Sequence, residues 1–255
     1  MIVPKLRSPI VLVPGLLGYD ELRLAGWRLT SYFSGIPERL REGGNRVLVA
    51  RVSPTCGVDR RAAQLKAFLD QQSPGEPVHL FAHSMGGLDS RYLISRLGMA
   101  DRVLTLTSIG TPHRGSAFAD WAVKRLECVV KPVFDFINLP DQAFYDLTTE
   151  RCRAFNDEVP DAPNVRYFSI AGRHDLNAWS PEWLIPHRIV VEKEGPNDGL
   201  VSVASATHGE SVDVWEGDHL SLANCGKLVR LVRGLWFDRS SHYVDLLRRL
   251  ADMGY

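Results

Sequence analysis

The chain has 255 residues, of which 45% are hydrophobic, enough for one substantial core. Its 30 basic and 30 acidic residues balance, which argues against a general nucleic-acid-binding or polyanion-binding surface. No run reaches the roughly 18 uninterrupted apolar residues of a membrane-spanning helix, and the sequence has no low-complexity tract or fixed-period repeat. We therefore expect a single domain over residues 1–255, with no nucleic-acid partner, no transmembrane segment and a monomer as the default oligomeric state.

The N-terminal segment places Lys5 and Arg7 ahead of the apolar stretch IVLVPGLLG, an arrangement that resembles a signal peptide. The stretch is short, Pro14 interrupts it and no small-residue cleavage site follows, so we interpret it as a core strand. The chain as given is then expected to be cytoplasmic, or secreted if it is a mature form cut from a precursor. Four cysteines have no metal-binding spacing and are predicted to be free thiols: Cys56, Cys128, Cys152 and Cys225.

Six apolar runs rich in β-branched residues predict strands, at Pro9–Gly15, Asn45–Ser53, Pro77–His83, Arg102–Gly110, Asn164–Gly172 and Glu210–Gly217. Apolar residues at helical spacing follow three of these runs. They lie over Val58–Gln72 after the second run and in GGLDSRYLISRLG after the third. After the sixth run they lie at Leu222, Leu228 and Val229. This alternation predicts an α/β fold with a mostly parallel sheet of about six strands flanked by helices. Such a sheet binds ligands beyond the carboxyl ends of its strands.

One stretch, from Ser116 to Pro163, breaks the alternation because it is helix-like throughout and rich in large apolar residues. Ordinary packing against the sheet would explain it. An insertion between two strands at the carboxyl edge instead favours a helical cap over residues 116–163, whose inner face forms an apolar substrate pocket. The residues expected to line that pocket are Phe118, Trp121, Val129 and Val133.

The stretch VHLFAHSMGG carries an apolar strand directly into Ser84. The small residues Ala82 and Gly86 flank the serine, as a very tight strand-to-helix turn requires, and this is the layout of a nucleophile elbow. Gly-flanked serines are also common in ordinary turns, and Ala82 stands where the usual pentapeptide has Gly. A serine hydroxyl is a poor nucleophile by itself, so the hypothesis requires a base, an acid and oxyanion donors elsewhere in the chain.

The base is sought among the downstream histidines, because the chain order in this type of sheet is serine, acid, histidine. His219 follows the sixth predicted strand and precedes a predicted helix, which places it in a loop at the carboxyl edge. A lone loop histidine is usually inert, but its position and order favour His219. His208 is the alternative.

Four aspartates compete for the acid: Asp175, Asp198, Asp213 and Asp218. Asp198 lies between Ser84 and His219 in sequence, in the turn PNDG after the strand-like run HRIVVEKEG. Asn-Asp-Gly is also ordinary turn composition. Asp218 adjoins His219, and sequence neighbours rarely face each other well enough for the required hydrogen bond, so Asp198 is preferred.

The oxyanion hole requires backbone N–H groups directed at the developing charge. Met85, the residue after the serine, is expected to supply one. The turn VPGLLG after the first strand offers Leu16, which Gly15 and Gly18 flank so that the backbone can approach closely.

Six segments of the chain resemble the bacterial triacylglycerol lipases of the Pseudomonas and Burkholderia type, which are α/β-hydrolases: VPGLLG, YFSGIPERLREGG, FAHSMGGLDSRY, GTPHRGS, PNDGLVSVASA and DHLSLAN. The resemblance extends from Val11 to about Val232. It implies Ser84 as nucleophile, Asp198 as acid, His219 as base in preference to His208, and Leu16 and Met85 as oxyanion donors. It further implies a lipase that hydrolyses apolar acyl esters, triacylglycerols included, through an acyl-enzyme and without a cofactor. The alternatives are an esterase, a polyester hydrolase or an acyltransferase with the same triad, and more remotely a silent hydrolase-fold binding module.

The sequence departs from the lipases it resembles at several positions. Pro14 stands where they usually have His, and Ser202–Ala206 lacks a cysteine that they often hold in a disulfide beyond the acid. They also bind a structural Ca²⁺ beside the histidine loop, partly through an Asp and a Gln. Those positions are Ser221 and Cys225 here, and a hydroxyl and a thiol are weak ligands for a hard cation. We therefore predict no metal at this loop, which Leu220, Leu222 and the following helix would hold by packing.

Overall fold

The computed structural model describes residues 2–16, 18, 21–24, 27–129, 142–175, 181–225 and 238–255. The strands in chain order are β1 (Ile10–Val13), β2 (Glu21–Leu24), β3 (Trp27–Ser31), β4 (Val47–Val49), β5 (Val78–His83), β6 (Val103–Ile109), β7 (Arg166–Arg173) and β8 (Glu210–Glu216). Six of them form a sheet in the order β4-β1-β5-β6-β7-β8, with every neighbouring pair parallel. The parallel six-stranded sheet predicted from the sequence is confirmed, and β2 and β3 form a separate antiparallel pair.

The helices in chain order are α1 (Ile36–Arg41), α2 (Val58–Gln72), α3 (Met85–Arg96), α4 (Ala117–Val129), α5 (Gln142–Asp146), α6 (Thr149–Glu158), α7 (Leu184–Glu194), α8 (Val203–Ala206) and α9 (Ser240–Asp252). Short 3-10 turns lie at Pro181–Trp183 and Ser221–Ala223. None of the helices described here is long and apolar enough to cross a membrane.

The core has two halves, one on each face of the sheet. Successive side chains of a strand point to opposite faces, so Leu12 joins one half and Val11 the other. The half that contains Leu12 packs against α1 and α9, for example at Leu40 and Leu247. The half that contains Val11 packs against α2 and α3. Strands apolar on both faces are therefore explained by helices on both faces, as predicted.

The run HRIVVEKEG, described as strand-like from its sequence, lies instead in helix α7. Its apolar core is short, and a short run of β-branched residues is compatible with a strand or a helix. Of Ile189, Val190 and Val191, only Val190 is buried, and Val191 is exposed. Pro186 lies in the first turn of α7, where its missing N–H group removes no helical hydrogen bond.

The C-terminal half of the chain also contains a helix that the sequence analysis did not predict. Helix α9 buries Tyr243, Leu247 and Leu250 along one side, against the sheet. The helix predicted around Leu228 and Val229 lies outside the described residues.

Between β6 and β7 the structure places helices α4, α5 and α6, within the segment that was predicted as a helical cap. Helix α4 packs against α7, which follows β7. Residue Val133 lies outside the described residues, and of Val129 only the backbone is described. The role of this insertion as a cap stays a prediction.

Candidate active site

Ser84 lies in the turn between β5 and α3. Its backbone has a φ of 55° and a ψ of −131°, a conformation that residues other than glycine rarely adopt. The turn is tight because α3 begins against the end of β1: a β carbon at Gly86 would lie 2.7 Å from the carbonyl oxygen of Val13. Glycine is therefore required at this position for the close approach. A strained serine at the carboxyl end of a central strand has the geometry of a nucleophile elbow.

The side chains of Ser84, His219 and Asp198 form one hydrogen-bonded row. Nε2 of His219 lies 2.9 Å from Oγ of Ser84, and Nδ1 of His219 lies 2.7 Å from Oδ2 of Asp198. All three residues are buried. Because a carboxylate only accepts hydrogen bonds, Nδ1 of His219 carries the proton and Nε2 is left to accept from the serine hydroxyl.

Asp198 is held by the turn in which it lies. Its Oδ1 accepts hydrogen bonds from the backbone N–H groups of Leu200, at 3.0 Å, and Val201, at 2.8 Å. Oδ2 is thereby left to face His219. The backbone N–H of His219 donates to the carbonyl oxygen of Asp198 at 2.7 Å, so the main chain also joins the two loops.

Two glycines at the carboxyl ends of neighbouring strands make room for the Asp198 side chain. Gly110 follows β6, and Gly172 lies near the end of β7. A β carbon at Gly172 would lie 2.7 Å from Cβ of Asp198, and one at Gly110 would lie 3.2 Å from Oδ2 of Asp198. Gly110 also has a φ of 58°, in the left-handed region that favours glycine. The sequence alone does not explain why these two positions are glycine, because the side chain that needs the space belongs to Asp198, further along the chain.

The alternative base, His208, pairs with a different carboxylate. Its Nε2 lies 2.8 Å from Oδ2 of Asp161, and its ring stacks on that of His113 with the centroids 4.5 Å apart. Burial lowers the pKa of His113 well below its usual value. The structure therefore places His219, and not His208, beside Ser84.

The alternative acid, Asp218, shapes the loop that carries His219. Its Oδ1 accepts from the backbone N–H groups of Leu220, at 3.1 Å, and Ser221, at 3.2 Å. The expectation that Leu220 anchors the loop by packing is wrong, because 37% of its surface is exposed, whereas Leu222 is fully buried as expected. The aspartate turn holds the loop by hydrogen bonds and lets Leu220 face solvent.

No metal cluster is found in the part of the chain that the structure describes: no group of three or more His, Cys, Asp or Glu side chains there could hold an ion. Ser221, at one position of the expected calcium site, donates its hydroxyl to the carbonyl oxygen of Asp218 at 2.6 Å. Cys56, Cys152 and Cys225 are not joined in disulfides, and burial raises the pKa of Cys152 to about 12. The side chain of Cys128 lies outside the described residues.

The two backbone groups predicted as oxyanion donors lie in the segments that meet at Ser84. The turn after β1 passes directly beside the serine, because a β carbon at Gly15 would lie 2.6 Å from Cβ of Ser84. Leu16 follows Gly15 in this turn, and its side chain packs against the cluster that contains Met85. Met85 is the first residue of α3, where the N–H group has no partner within the helix.

A buried ion pair that the sequence analysis missed supports this turn. Arg61 on α2 and Asp89 on α3 have no exposed side-chain surface, and Nη2 of Arg61 lies 2.8 Å from Oδ2 of Asp89. The same Nη2 donates to the carbonyl oxygen of Pro14 at 2.7 Å. Burial raises the pKa of Asp89 to about 6, an effect that Arg61 opposes. The available signal was the position of Arg61, three residues after Val58 on the apolar side of α2.

Phe118 and Trp121, the two predicted pocket residues of α4 whose side chains are described, are half-buried rather than packed into the core. The rings of Phe118 and Trp121 stack with their centroids 5.7 Å apart. A cavity of about 410 Å³ lies between the start of α2 and helices α5 and α6. Its apolar lining comes from Val58, Tyr92 and Phe155, and these three belong to the cluster that contains Met85.

No protein-family model matches the chain. A triacylglycerol lipase of Vibrio cholerae is 33% identical over 256 residues, covering 86% of this chain and 80% of the relative. The chain belongs to the bacterial triacylglycerol lipase family. This confirms the family that the sequence motifs indicate, and it makes the protein a hydrolase of the lipase and esterase class.

Two further comparisons bear on this lipase and its fold. Triacylglycerol lipase 2 of Saccharomyces cerevisiae is 35% identical over 204 residues, which cover 76% of this chain but 62% of the yeast protein. The mature form of the Bacillus licheniformis lipase BlEst2 superposes with a TM-score of 0.70 at 26% identity, covering 88% of this chain and 89% of the other. The α/β-hydrolase fold predicted from the sequence is confirmed.

Proposed function

We propose that this lipase hydrolyses carboxylic esters with apolar acyl groups, triacylglycerols among them, through an acyl-enzyme formed on Ser84. The observation that carries the proposal is the row from Oγ of Ser84 through His219 to Asp198, with contacts of 2.9 and 2.7 Å. The row stands at the carboxyl end of β5, where sheets of this kind bind ligands.

In the first half of the reaction, Oγ of Ser84 attacks the ester carbonyl carbon while Nε2 of His219 takes the hydroxyl proton. The imidazolium that forms donates from Nδ1 to Oδ2 of Asp198, which holds the ring orientation and offsets its charge. The carbonyl oxygen becomes an oxyanion, which accepts from the N–H groups of Leu16 and Met85. Collapse of this intermediate expels the alcohol, which receives the proton from Nε2 and leaves an acyl ester on Ser84.

The second half repeats the same proton transfers with water. Nε2 of His219 removes a proton from water, whose oxygen attacks the acyl carbon, and the same two N–H groups stabilise the second oxyanion. Nε2 then returns the proton to Oγ of Ser84 as the carboxylic acid leaves. The side chains of this chain supply every proton transfer, and the scheme calls for no cofactor.

The substrate class rests on two supports. The relatives from Vibrio cholerae and yeast are named as triacylglycerol lipases. The insertion between β6 and β7 also presents half-buried aromatic rings at Phe118 and Trp121, which suit an apolar acyl chain. We propose that this insertion caps the site and that Phe118 and Trp121, with Val129 and Val133 beyond the described side chains, contact the acyl group.

The experiment that tests the nucleophile is labelling with a fluorophosphonate probe followed by peptide mapping. The modified residue should be Ser84, and Ser84→Ala should lower kcat for p-nitrophenyl butyrate by about 10⁶-fold, because triad members act as a unit. Ser90→Ala is the matched control, since Ser90 is a buried serine of the adjacent helix whose hydroxyl bonds the carbonyl oxygen of Gly86. Labelling elsewhere, or activity retained in Ser84→Ala, would exclude the proposal.

A series of p-nitrophenyl esters of increasing acyl length, with a triacylglycerol emulsion and a polyester film, distinguishes the substrate classes. A lipase should cleave long-chain esters and the emulsion efficiently. A preference for acetyl esters would indicate an esterase, and turnover of the film or transfer to an added alcohol would indicate the remaining alternatives.

A further inference from the structure

Three buried hydrogen bonds in series link the turn after β1, which carries Gly15 and Leu16 and is called the oxyanion turn below, to His219. They pass through two residues that the reaction scheme does not use. The backbone N of Gly15 lies 3.1 Å from Oη of Tyr32. Oη of Tyr32 lies 2.7 Å from Nδ1 of His83, and Nε2 of His83 lies 2.9 Å from the carbonyl oxygen of His219. His83 is fully buried and Tyr32 is 6% exposed, so solvent does not compete for these groups.

The chemistry of the end groups decides the direction of every hydrogen bond in this chain. The N–H of Gly15 can only donate, so Oη of Tyr32 accepts from it. The carbonyl oxygen of His219 can only accept, so Nε2 of His83 carries a proton and donates. Nδ1 of a neutral His83 is then bare, and it accepts the hydroxyl proton of Tyr32. Only one tautomer of His83, with the proton on Nε2, satisfies all three contacts.

We propose that Tyr32 and His83 are positioning residues, which hold the oxyanion turn and the backbone of His219 in register with Ser84. The inference deepens the proposed function and depends on it. His83 is joined to Ser84 by a peptide bond, and Gly15 precedes the donor Leu16. The three hydrogen bonds therefore connect the proposed nucleophile, an oxyanion donor and the base, and they restrict how these groups can move relative to one another. Errors in the position of such groups of even about 1 Å lower catalytic rates strongly.

The charge state of the pair suits this position. The ring of His83 lies 4.7 Å from the ring of His219, which becomes positively charged during the reaction. Burial lowers the pKa of His83 well below its usual value and raises the pKa of Tyr32. Both groups stay neutral, so the chain positions the base without placing a second positive charge beside it.

The decisive comparison is Tyr32→Phe against Tyr167→Phe. Each substitution removes the phenol oxygen of a buried tyrosine that accepts from a backbone N–H, since Oη of Tyr167 lies 3.0 Å from the backbone N of Ala162, outside the triad. We expect Tyr32→Phe to lower kcat about tenfold with KM within about twofold, a fraction of the loss that follows removal of a whole oxyanion donor. Tyr167→Phe should lower the melting temperature by about as much as Tyr32→Phe does, and it should leave kcat unchanged.

Two results would overturn the inference: a wild-type kcat in Tyr32→Phe, or equal losses of kcat in the two variants. His83→Leu with His79→Leu forms a second matched pair, because both histidines are buried on β5 and only His83 contacts the His219 backbone. A fall in kcat confined to His83→Leu supports the positioning role, and equal falls contradict it.

A measurement on the wild-type enzyme tests the hydrogen-bond chain even if the variants do not fold. Nitrogen-15 NMR of the histidine rings should show His83 as the neutral tautomer protonated on Nε2 from about pH 5 to about pH 9. The tautomer protonated on Nδ1, or titration within this range, would contradict the hydrogen-bond chain. Activity retained in Ser84→Ala would refute the proposed function itself, whereas an inactive Ser84→Ala with an unaffected Tyr32→Phe would refute only the positioning role.

Discussion

Replacing Asp198 by Asn tests the role of the acid with almost no change in shape. The expected loss in kcat is about 10⁴-fold, the scale seen when Asn replaces a triad aspartate, and it corresponds to about 5 kcal/mol of transition-state stabilisation. The structure explains why the loss should approach this full size. Oδ1 of Asp198 accepts from the N–H groups of Leu200 and Val201 at 3.0 and 2.8 Å, so an asparagine introduced at this position must keep its oxygen there.

The amide NH₂ group of the introduced asparagine would then face Nδ1 of His219, which lies 2.7 Å from the present carboxylate oxygen. A donor at that place requires Nδ1 to accept, which moves the imidazole proton to Nε2. Nε2 can then no longer accept the hydroxyl proton of Ser84, and general-base catalysis is lost. Flipping the amide would restore the tautomer only by turning its NH₂ group against two backbone N–H donors, which leaves those buried donors unsatisfied at about 1–3 kcal/mol each.

The assay is steady-state hydrolysis of p-nitrophenyl butyrate, with the melting temperature measured in parallel. Asp218→Asn is the matched control, because Oδ1 of Asp218 also accepts from two backbone N–H groups, those of Leu220 and Ser221, and Asn can preserve them. Its kcat should fall by less than about tenfold, since only the loop that carries His219 is affected. Near-full activity in Asp198→Asn together with inactivity in Asp218→Asn would refute the assignment of the acid.

The remaining predictions concern the acyl pocket, calcium and pH. Trp121→Ala should lower kcat/KM for octanoyl esters about tenfold more than for acetyl esters, because it removes the contact of about two methylene groups at about 0.8 kcal/mol each; equal losses, or only a lower melting temperature, would mean that Trp121 is ordinary packing. Excess EDTA, compared with added CaCl₂, should change neither activity nor melting temperature, because Ser221 and Cys225 occupy the positions of oxygen-rich ligands; a fall of several degrees that calcium restores would contradict this. Burial lowers the pKa of His79 from 6.5 to about 4, so as the pH falls below 6.5 the unfolded chain takes up a proton before the folded one does. His79 should therefore contribute a loss of about 2 kcal/mol of unfolding free energy on going from neutral pH to about pH 5, and urea unfolding should show a loss smaller by that amount in His79→Leu.

Much of the fold could be predicted from local patterns. The apolar runs that became β1, β5, β6 and β7 could not be exposed on either face, and their alternation with helical spacing left a parallel sheet as the consistent arrangement. The apolar pattern did not distinguish a strand from a helix where the apolar run was short. In α7, the run Ile189–Val191 satisfies a strand or a helix, and only the packing of α7 against α4 decides between them.

The proposed triad could also be chosen from the sequence, for a different reason. The elbow at Ser84 is a local constraint of small residues around a turn, and the chain order of the fold restricts the acid and base to residues downstream. Asp198 and His219 were chosen among eight histidines and several turn aspartates by their order and by family motifs that extend along the chain. These are properties that a linear sequence carries.

The support of the triad depended on the tertiary structure, because it consists of contacts between residues that are distant in the chain. Gly172 gains its purpose only when Asp198 folds against it, and Arg61 supports the oxyanion turn only because α2 brings its guanidinium to the carbonyl oxygen of Pro14. Leu220, an apolar residue beside the base, was expected to be buried, and the aspartate turn at Asp218 exposes it. The sequence by itself determined which groups are proposed to react, since their order and turn chemistry are local. Only the tertiary structure decided which groups hold them in place, since hydrogen bonds and close contacts join residues that no sequence spacing relates.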